Sequence, residues 1–263
     1  MARKYKYRKP HRYKKKKPIL KKRFFWLGFL IIIAAAAVFY CLFFLEVFQV
    51  KKIIISSPDK VSKEEIEFLV EQRLESKILF FETRSIFAAD LNQIMKDILN
   101  YFPQIAEAKV SLGLFDVVKV EVIERQALAQ WCNQGCFLID KEGIIFEEVF
   151  EVRPDLIVVR TEAGSGELGE TVIEKKSLAQ ILDIKSKAEG VGVPIEEAFL
   201  ASEERLNMKT IEGWEIYFNL EKDLGWQITE LKEILKEKIP QEKRDKLDYI
   251  DLRFSRVYYT YKK

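Results

Sequence analysis

From Phe24 to Leu45 the chain runs 22 residues without a charge, through Leu27, Leu30, Ile31, Ile32, Ile33, Val38 and Phe43. As a helix at about 1.5 Å per residue this run reaches about 33 Å, enough to cross the hydrocarbon layer of a bilayer. The pattern predicts one membrane-spanning helix over residues 24–45. A cleaved secretion signal fits less well, because the apolar core is too long and no small-x-small site follows it. Phe39 and Tyr40 are too bulky to precede Cys41 in a lipoprotein signal. The bland alternative, a buried helix of a soluble domain, is opposed by the flanks.

Residues 1–23 hold 13 Lys or Arg and no acid, whereas the other flank opens with Glu46. Positive charge is retained on the cytoplasmic side, so the basic tail is expected inside and everything from Glu46 onward outside. Taking those 13 from the 44 bases of the whole chain leaves 31 against 41 acids, so residues 24–263 carry about −10. An acidic body of this kind argues against nucleic acid as its partner. In the tail, Tyr5, Tyr7 and Tyr13 interleave with the bases as they would in a nucleic-acid arm. A solvated segment that fixes orientation and touches anionic lipid headgroups needs fewer assumptions, and Pro10 and Pro18 discourage a continuous helix.

Residues 46–263 are long enough for one large or two small cores, with no Gly/Ser-rich linker, repeat or low-complexity run between them. A strand is expected over Phe48–Ile55, with a turn at Ser56-Ser57-Pro58-Asp59. Ser62-Lys63-Glu64-Glu65 has the spacing of a capping box, and Ile66, Leu69, Val70 and Leu74 follow at helical spacing. A second helix is expected after Ser85, with Phe87, Leu91, Ile94, Met95 and Ile98 on one side, ending before Pro103. The apolar run Ile78-Leu79-Phe80-Phe81 between them is expected to plug the core. Alternation at Ala106, Ala108, Val110 and Leu112, then at Val118, Val120 and Val122, predicts two strands with a turn near Gly113. The order β-α-α-β-β directly after a membrane span resembles a POTRA domain, placed over residues 46–124.

From 125 to 263 strands dominate. Trp131-Cys132-Asn133-Gln134-Gly135-Cys136-Phe137 reads as a hairpin tip, and Asp140-Lys141-Glu142-Gly143 as a second turn. Further strands are expected at Leu156–Arg160, Ala198–Ala201, Leu206–Thr210 and Trp214–Leu220. Helices are expected at Lys175–Ala188 and around Ile228, Leu231, Ile234 and Leu235, the latter stopped by Pro240. Tyr249–Phe254 and Val257–Tyr261 close the chain as extended segments. The fold class is therefore α+β: one N-terminal transmembrane helix, a β-α-α-β-β domain, then a mostly antiparallel β domain with two helices.

Several motifs stand in a telling order: the basic tail, the span, the POTRA-like unit, then Val118-Lys-Val-Glu-Val-Ile-Glu124-Arg125-Gln-Ala-Leu-Ala-Gln-Trp131. A hairpin follows, then Leu138-Ile139-Asp140-Lys-Glu-Gly143-Ile-Ile-Phe146, and late in the chain Tyr249-Ile250-Asp251-Leu252-Arg253-Phe254. Together they resemble the cell-division family FtsQ/DivIB. Gln126-Ala127 depart from its pattern, where a Pro is usual, and Ser111-Leu-Gly-Leu-Phe115 replaces its Arg-x-x-Pro-like turn. The resemblance implies a non-enzymatic scaffold of the division septum, without cofactor or small-molecule substrate. Its partners would be FtsB/DivIC-like and FtsL-like single-span proteins, beside the lipid bilayer. Capture is expected at the last strand, where an extended segment can add to a sheet edge. The candidate contacts are Arg253, Phe254, Val257, Tyr258, Tyr259 and Tyr261. Two bland readings stand beside them: Arg253 paired with Asp251 of its own domain, and Phe254 buried in the core.

Cys132 and Cys136 flank a three-residue tip and would face each other across the hairpin, where a disulfide and two free thiols are both open readings. Two thiols without a second pair or an external histidine do not complete a zinc site. The single histidine, His11, lies in the tail, so the body has no Ser-His or Cys-His nucleophile pair. Gly164-Ser165-Gly166 lacks the lysine and spacing of a phosphate loop. Among 41 acids a catalytic carboxylate pair carries no signal of its own. A membrane-anchored cell-wall hydrolase or a POTRA-bearing transport accessory therefore stands as the alternative function.

Overall fold

The computed structural model describes residues 23–262 apart from residues 57, 79, 80, 115 and 163. The tail with its lipid-contacting role and His11, and Leu79 and Phe80 of the apolar run, lie outside the described residues. Helix α1 (Arg23–Phe44) spans 22 residues, reaches a mean hydropathy of 2.7 over an 18-residue window, and is nowhere buried by the protein. Among the described residues it is the one helix long and apolar enough to cross a membrane.

The described residues fall into two compact units, one comprising 23–52, 72–89 and 112–118, the other 53–71, 90–111 and 119–262. In the first, α1 leads into a 3-10 turn at Glu46–Phe48, so the strand expected from Phe48 is shorter and begins only at β1 (Lys52–Ile55). Two short strands, β2 (Ser76–Ile78) and β3 (Phe81–Thr83), pair antiparallel with Ser76 opposite Thr83. Of the apolar run, Ile78 ends β2 and Phe81 begins β3. Phe81, at 64% exposure, points away from any core.

In the second unit, α2 (Lys63–Leu74) starts at Ser62, whose hydroxyl accepts from the Glu65 N–H at 3.3 Å. That hydroxyl donates to Glu64 at 2.9 Å. Backbone amides, then the Ser62 hydroxyl, hold the Glu64 carboxyl below its usual range. Ile66, Leu69, Val70 and Leu74 are all buried, as their spacing predicts. Helix α3 (Leu91–Tyr101) begins later than expected, because Asp90, not Ser85, is the cap and accepts from the Gln93 N–H at 3.0 Å. The Ser85 hydroxyl is committed elsewhere, donating to the Leu42 carbonyl, and Phe87 is left in the preceding turn, half exposed.

Strands β4 (Ile105–Leu112) and β5 (Val117–Glu124) join β1 in a three-stranded sheet of order β1-β5-β4. Bonds from Lys52 N to Asp116 O and from Ser56 N to Val120 O advance by the same step on both strands, which makes β1 and β5 parallel. At the end of β5 the Glu124 carboxylate accepts the N–H groups of Lys60 and Val61 at 2.8 and 2.9 Å. The next residue, Arg125, pairs with Asp140 and donates to the Pro103 carbonyl at 2.9 Å. Both side chains of this ion pair are largely shielded from solvent, at 14% and 4% exposure.

The rest of the chain builds one sheet of nine strands: β6 (Ala129–Cys132), β7 (Cys136–Ile139), β8 (Ile145–Val149), β9 (Ile157–Thr161), β10 (Ile195–Leu200), β11 (Arg205–Thr210), β12 (Glu215–Asn219), β13 (Leu247–Asp251) and β14 (Tyr258–Tyr261). Their order across the sheet is β14-β13-β12-β11-β10-β9-β6-β7-β8. Parallel neighbours need a long crossover. Helix α4 (Lys175–Gly190) supplies the one between β9 and β10, and α5 (Leu224–Glu237) the one between β12 and β13. The β6–β9 pair is also parallel, and the other neighbours are antiparallel.

Both helices cover one face. Leu178, Ile181 and Ile184 of α4 and Leu231 and Leu235 of α5 close over Trp131, Val159, Ala198, Met208, Ile216, Phe218 and Ile250. On the strands these alternate with outward residues, the period-2 signature of a sheet with one dry face. Near the β8 end the edge is partly covered: Ile145 exchanges bonds with Gly169 and Glu170, and Val172 N donates to Gly143 O. Gly143 permits this approach, since it sits at φ 76° and a Cβ there would meet the Ile173 carbonyl oxygen at 1.9 Å.

Candidate partner-binding edge

β13 turns Leu247 and Ile250 inward and, across a register shift between Leu247 and Tyr249, Asp248 and Tyr249 outward; the chain then turns through residues 252–256 and returns as β14. Three bonds hold the start of the turn. Leu252 N–H donates to the Tyr217 carbonyl at 2.9 Å, Arg253 N–H to Asp251 Oδ1 at 3.1 Å, and Lys222 Nζ to the Arg253 carbonyl at 2.7 Å. β14 pairs only with β13 and is the terminal strand of the sheet.

The ladder fixes which amides are free. Lys262 N–H donates to Lys246 O at 2.8 Å, so, by alternation, the N–H groups of Tyr258 and Thr260 also face β13. Those of Tyr259 and Tyr261 face outward, each beside its own outward carbonyl.

Side chains alternate too. Tyr259 and Tyr261 lie opposite Ile250 and Leu247 on the helix-covered side, their ring centroids 5.9 Å apart. Tyr258, opposite Asp251, lies on the other side and meets the edge of the Phe254 ring at 6.0 Å. All three tyrosines are exposed, so the strand has no buried face of its own. Phe254 is 51% exposed and therefore not a core residue. Val257 is the exception among the sequence candidates, because it packs inward against the hydrophobic core.

Arg253 is engaged within its own domain. Its Nε and Nη2 reach Asp251 Oδ1 and Oδ2 at 2.9 and 2.6 Å, a fork that geometry favours for guanidinium and carboxylate. That bond raises the Arg253 pKa above its ordinary value. The guanidinium stacks 5.3 Å from the Tyr217 ring and 5.5 Å from the Phe254 ring. Tyr217 in turn stacks on Tyr249 at 5.0 Å and carries Arg205 on it at 5.4 Å. Burial, and then the Glu215 carboxylate, push the Tyr217 hydroxyl up to about 12.

Tyr217, Tyr249 and Arg205 were not among the residues singled out from sequence. Alternation in Glu215–Asn219 puts Tyr217 on the outer face, but only the register that sets it beside Asp251 shows that it supports the edge.

Away from this edge, Cys132 and Cys136 sit opposite each other at the end of the β6–β7 hairpin, joined in a disulfide with Cα atoms 4.2 Å apart. Cys41, on α1, is free and exposed. Among the described residues no group of three His, Cys, Asp or Glu is placed to hold a metal.

No curated protein matches this chain. Residues 129–253, from β6 to the turn that carries Arg253, match the family described as cell division protein FtsQ/DivIB, C-terminal. β14 lies just beyond the matched segment. The matched segment takes in eight of the nine strands and both helices that cover them, so residues 129–253 carry the C-terminal domain of the cell-division proteins FtsQ/DivIB.

Proposed function

We propose that the protein is a non-enzymatic, membrane-anchored scaffold of the division septum that captures an extended segment of FtsB/DivIC-like and FtsL-like partners at the free edge of β14. In this reading α1 crosses the cell membrane with the basic tail in the cytoplasm. Residues 46–124 form an external POTRA-like domain, and residues 125–263 form the partner-binding domain.

One observation carries the reading. β14 is paired on one side only, and its neighbouring side chains, Phe254, Tyr258, Tyr259 and Tyr261, are exposed aromatics. Main-chain bonds along such an edge supply affinity, and aromatic contacts on its two faces supply selectivity. Arg253 serves here as a brace for the turn and for the Phe254 ring, its fork being filled by Asp251.

The test is binding of the full chain, held in nanodiscs, to a purified FtsB/FtsL-like complex. Phe254→Ala and Tyr259→Lys should each weaken binding while leaving the fold intact, and a fluorescent fusion should concentrate at midcell. Unchanged affinity for both variants would remove this edge from the interface.

A further inference from the structure

The membrane-proximal unit shows a feature that partner capture does not use. A helix leaves its last four carbonyls without intrahelical donors, and at the end of a membrane span water is scarce. In α1 two of these acceptors are served from elsewhere in the chain. The Phe43 carbonyl accepts from the Thr83 hydroxyl and from Gln49 Nε2 at 2.9 Å, and the Leu42 carbonyl accepts from the Ser85 hydroxyl at 2.8 Å. Thr83 and Ser85 are buried at 4% and 0% exposure.

The segment that carries them is stitched to the residues after the helix. Val50 N donates to Arg84 O at 3.0 Å, Ile86 N to Phe48 O at 3.0 Å, and Arg84 N to Gln49 Oε1 at 2.7 Å. The β2–β3 hairpin is therefore fastened to the exit of α1.

Around this exit sit apolar side chains that the protein does not cover. Phe81, Phe87, Val47 and Leu45 are exposed at 64%, 53%, 57% and 43%. The Phe81 ring lies 5.8 Å from that of Phe44, and the Phe87 ring 5.5 Å from that of Phe48. If α1 crosses a bilayer, its roughly 33 Å exceed the roughly 30 Å of hydrocarbon, so Phe44 ends at the boundary. The interfacial layer is then about 5–7 Å deep on each side, and a ring packed on Phe44 lies within it. Among the nearby charges, Arg84 is paired with Glu75 and Lys77 with Glu82.

We propose that β3 and the turn after it form a lipid-binding collar around the exit of α1. Phe81 and Phe87 are inserted at the boundary between acyl chains and headgroups, and Gln49, Thr83 and Ser85 close the helix end beneath them. Aromatic side chains favour that layer, and with Arg84 and Lys77 paired internally the contact rests on apolar insertion rather than on the headgroup's charge. The collar rests on the membrane-spanning reading of α1, but not on which side the collar faces or on what β14 binds.

The experiment uses the full chain in phosphatidylcholine nanodiscs with a nitroxide at single cysteines. The sites are native Cys41, and Phe81→Cys, Phe87→Cys or Phe150→Cys in a Cys41→Ser background. Phe150, 95% exposed, is the aqueous reference. Power saturation with oxygen and with a water-soluble nickel chelate reads depth. Positions 81 and 87 should be several-fold less accessible to the chelate than position 150, with no change when anionic lipid is added. Thr83→Val combined with Ser85→Ala should raise chelate access at position 81. Chelate access at positions 81 and 87 equal to that at position 150, with Cys41 still shielded, would overturn the collar alone. Cys41 itself reading as aqueous would overturn the spanning helix and the collar together. Dependence on anionic lipid would replace the apolar insertion proposed here with electrostatic adsorption.

Discussion

Parity along β14 makes the edge hypothesis testable one amide at a time. Tyr259 and Tyr261 present their N–H and C=O groups to the free side, while Thr260 spends its own on β13. Proline removes one N–H and tolerates an edge position whose amide faces solvent. We predict that Tyr259→Pro leaves the protein folded but abolishes one main-chain bond to an added strand. The partner's carbonyl is then buried without a donor, a loss of about 1–3 kcal/mol, or about 5- to 150-fold in Kd. Tyr259→Ala keeps the amide and loses only the ring, so the ratio of the two affinities isolates the backbone contribution. Thr260→Pro strikes the β13 ladder instead and should show its damage in thermal stability. Titration calorimetry of the nanodisc-held protein with its FtsB/FtsL-like partner, beside a melting curve for each variant, decides the matter. Equal affinities for Tyr259→Pro and Tyr259→Ala, both folded, would refute strand addition here. Equal stabilities for the two proline variants would refute the parity itself.

Three further outcomes follow from the structure. Removing either partner of the shielded Arg125–Asp140 pair, by Arg125→Met or Asp140→Asn, should cost about 3–5 kcal/mol in urea unfolding, and the double variant should cost less than the two combined; additive small effects would contradict a coupled pair. The disulfide closes a loop only four residues in separation, so Cys132→Ser with Cys136→Ser should lower stability by about 2 kcal/mol; a much larger loss would mean the bridge does more than restrain the unfolded chain. Because the Tyr217 hydroxyl holds its proton up to about 12, the unfolded chain ionises first. The stability this group contributes is complete below about pH 10 and is lost as pH rises through about 12. Urea unfolding across that range should show a shallower loss for Tyr217→Phe than for the natural chain, and identical profiles would refute the assignment.

Much of this fold was legible in the sequence because periodicity and punctuation are local. Ile66, Leu69, Val70 and Leu74 announced one helix, and the alternating valines of 118–122 announced a strand. What escaped depended on contacts between distant residues. The helix expected after Ser85 starts five residues later, because the Ser85 hydroxyl is drawn 43 residues back to the Leu42 carbonyl and Asp90 provides the cap. Glu124 and Arg125 stood out as a motif without a visible purpose. In the structure one seats the loop before α2 and the other neutralises Asp140. At the edge, alternation separated Tyr258 from Tyr259, whereas the brace of Tyr217 beneath Arg253 depends on strand register, which no local pattern encodes.

The two margins of the large sheet are unequal: β14 is bare, while the first residues of β8 are occupied by the segment around Gly169–Val172. A second copy cannot lay its bare margin along that blocked one without displacing the covering segment. Head-to-tail stacking of these two margins therefore meets an obstacle at the start of β8. The asymmetry of its margins thus works against a filament built by repeated edge-to-edge pairing of this sheet.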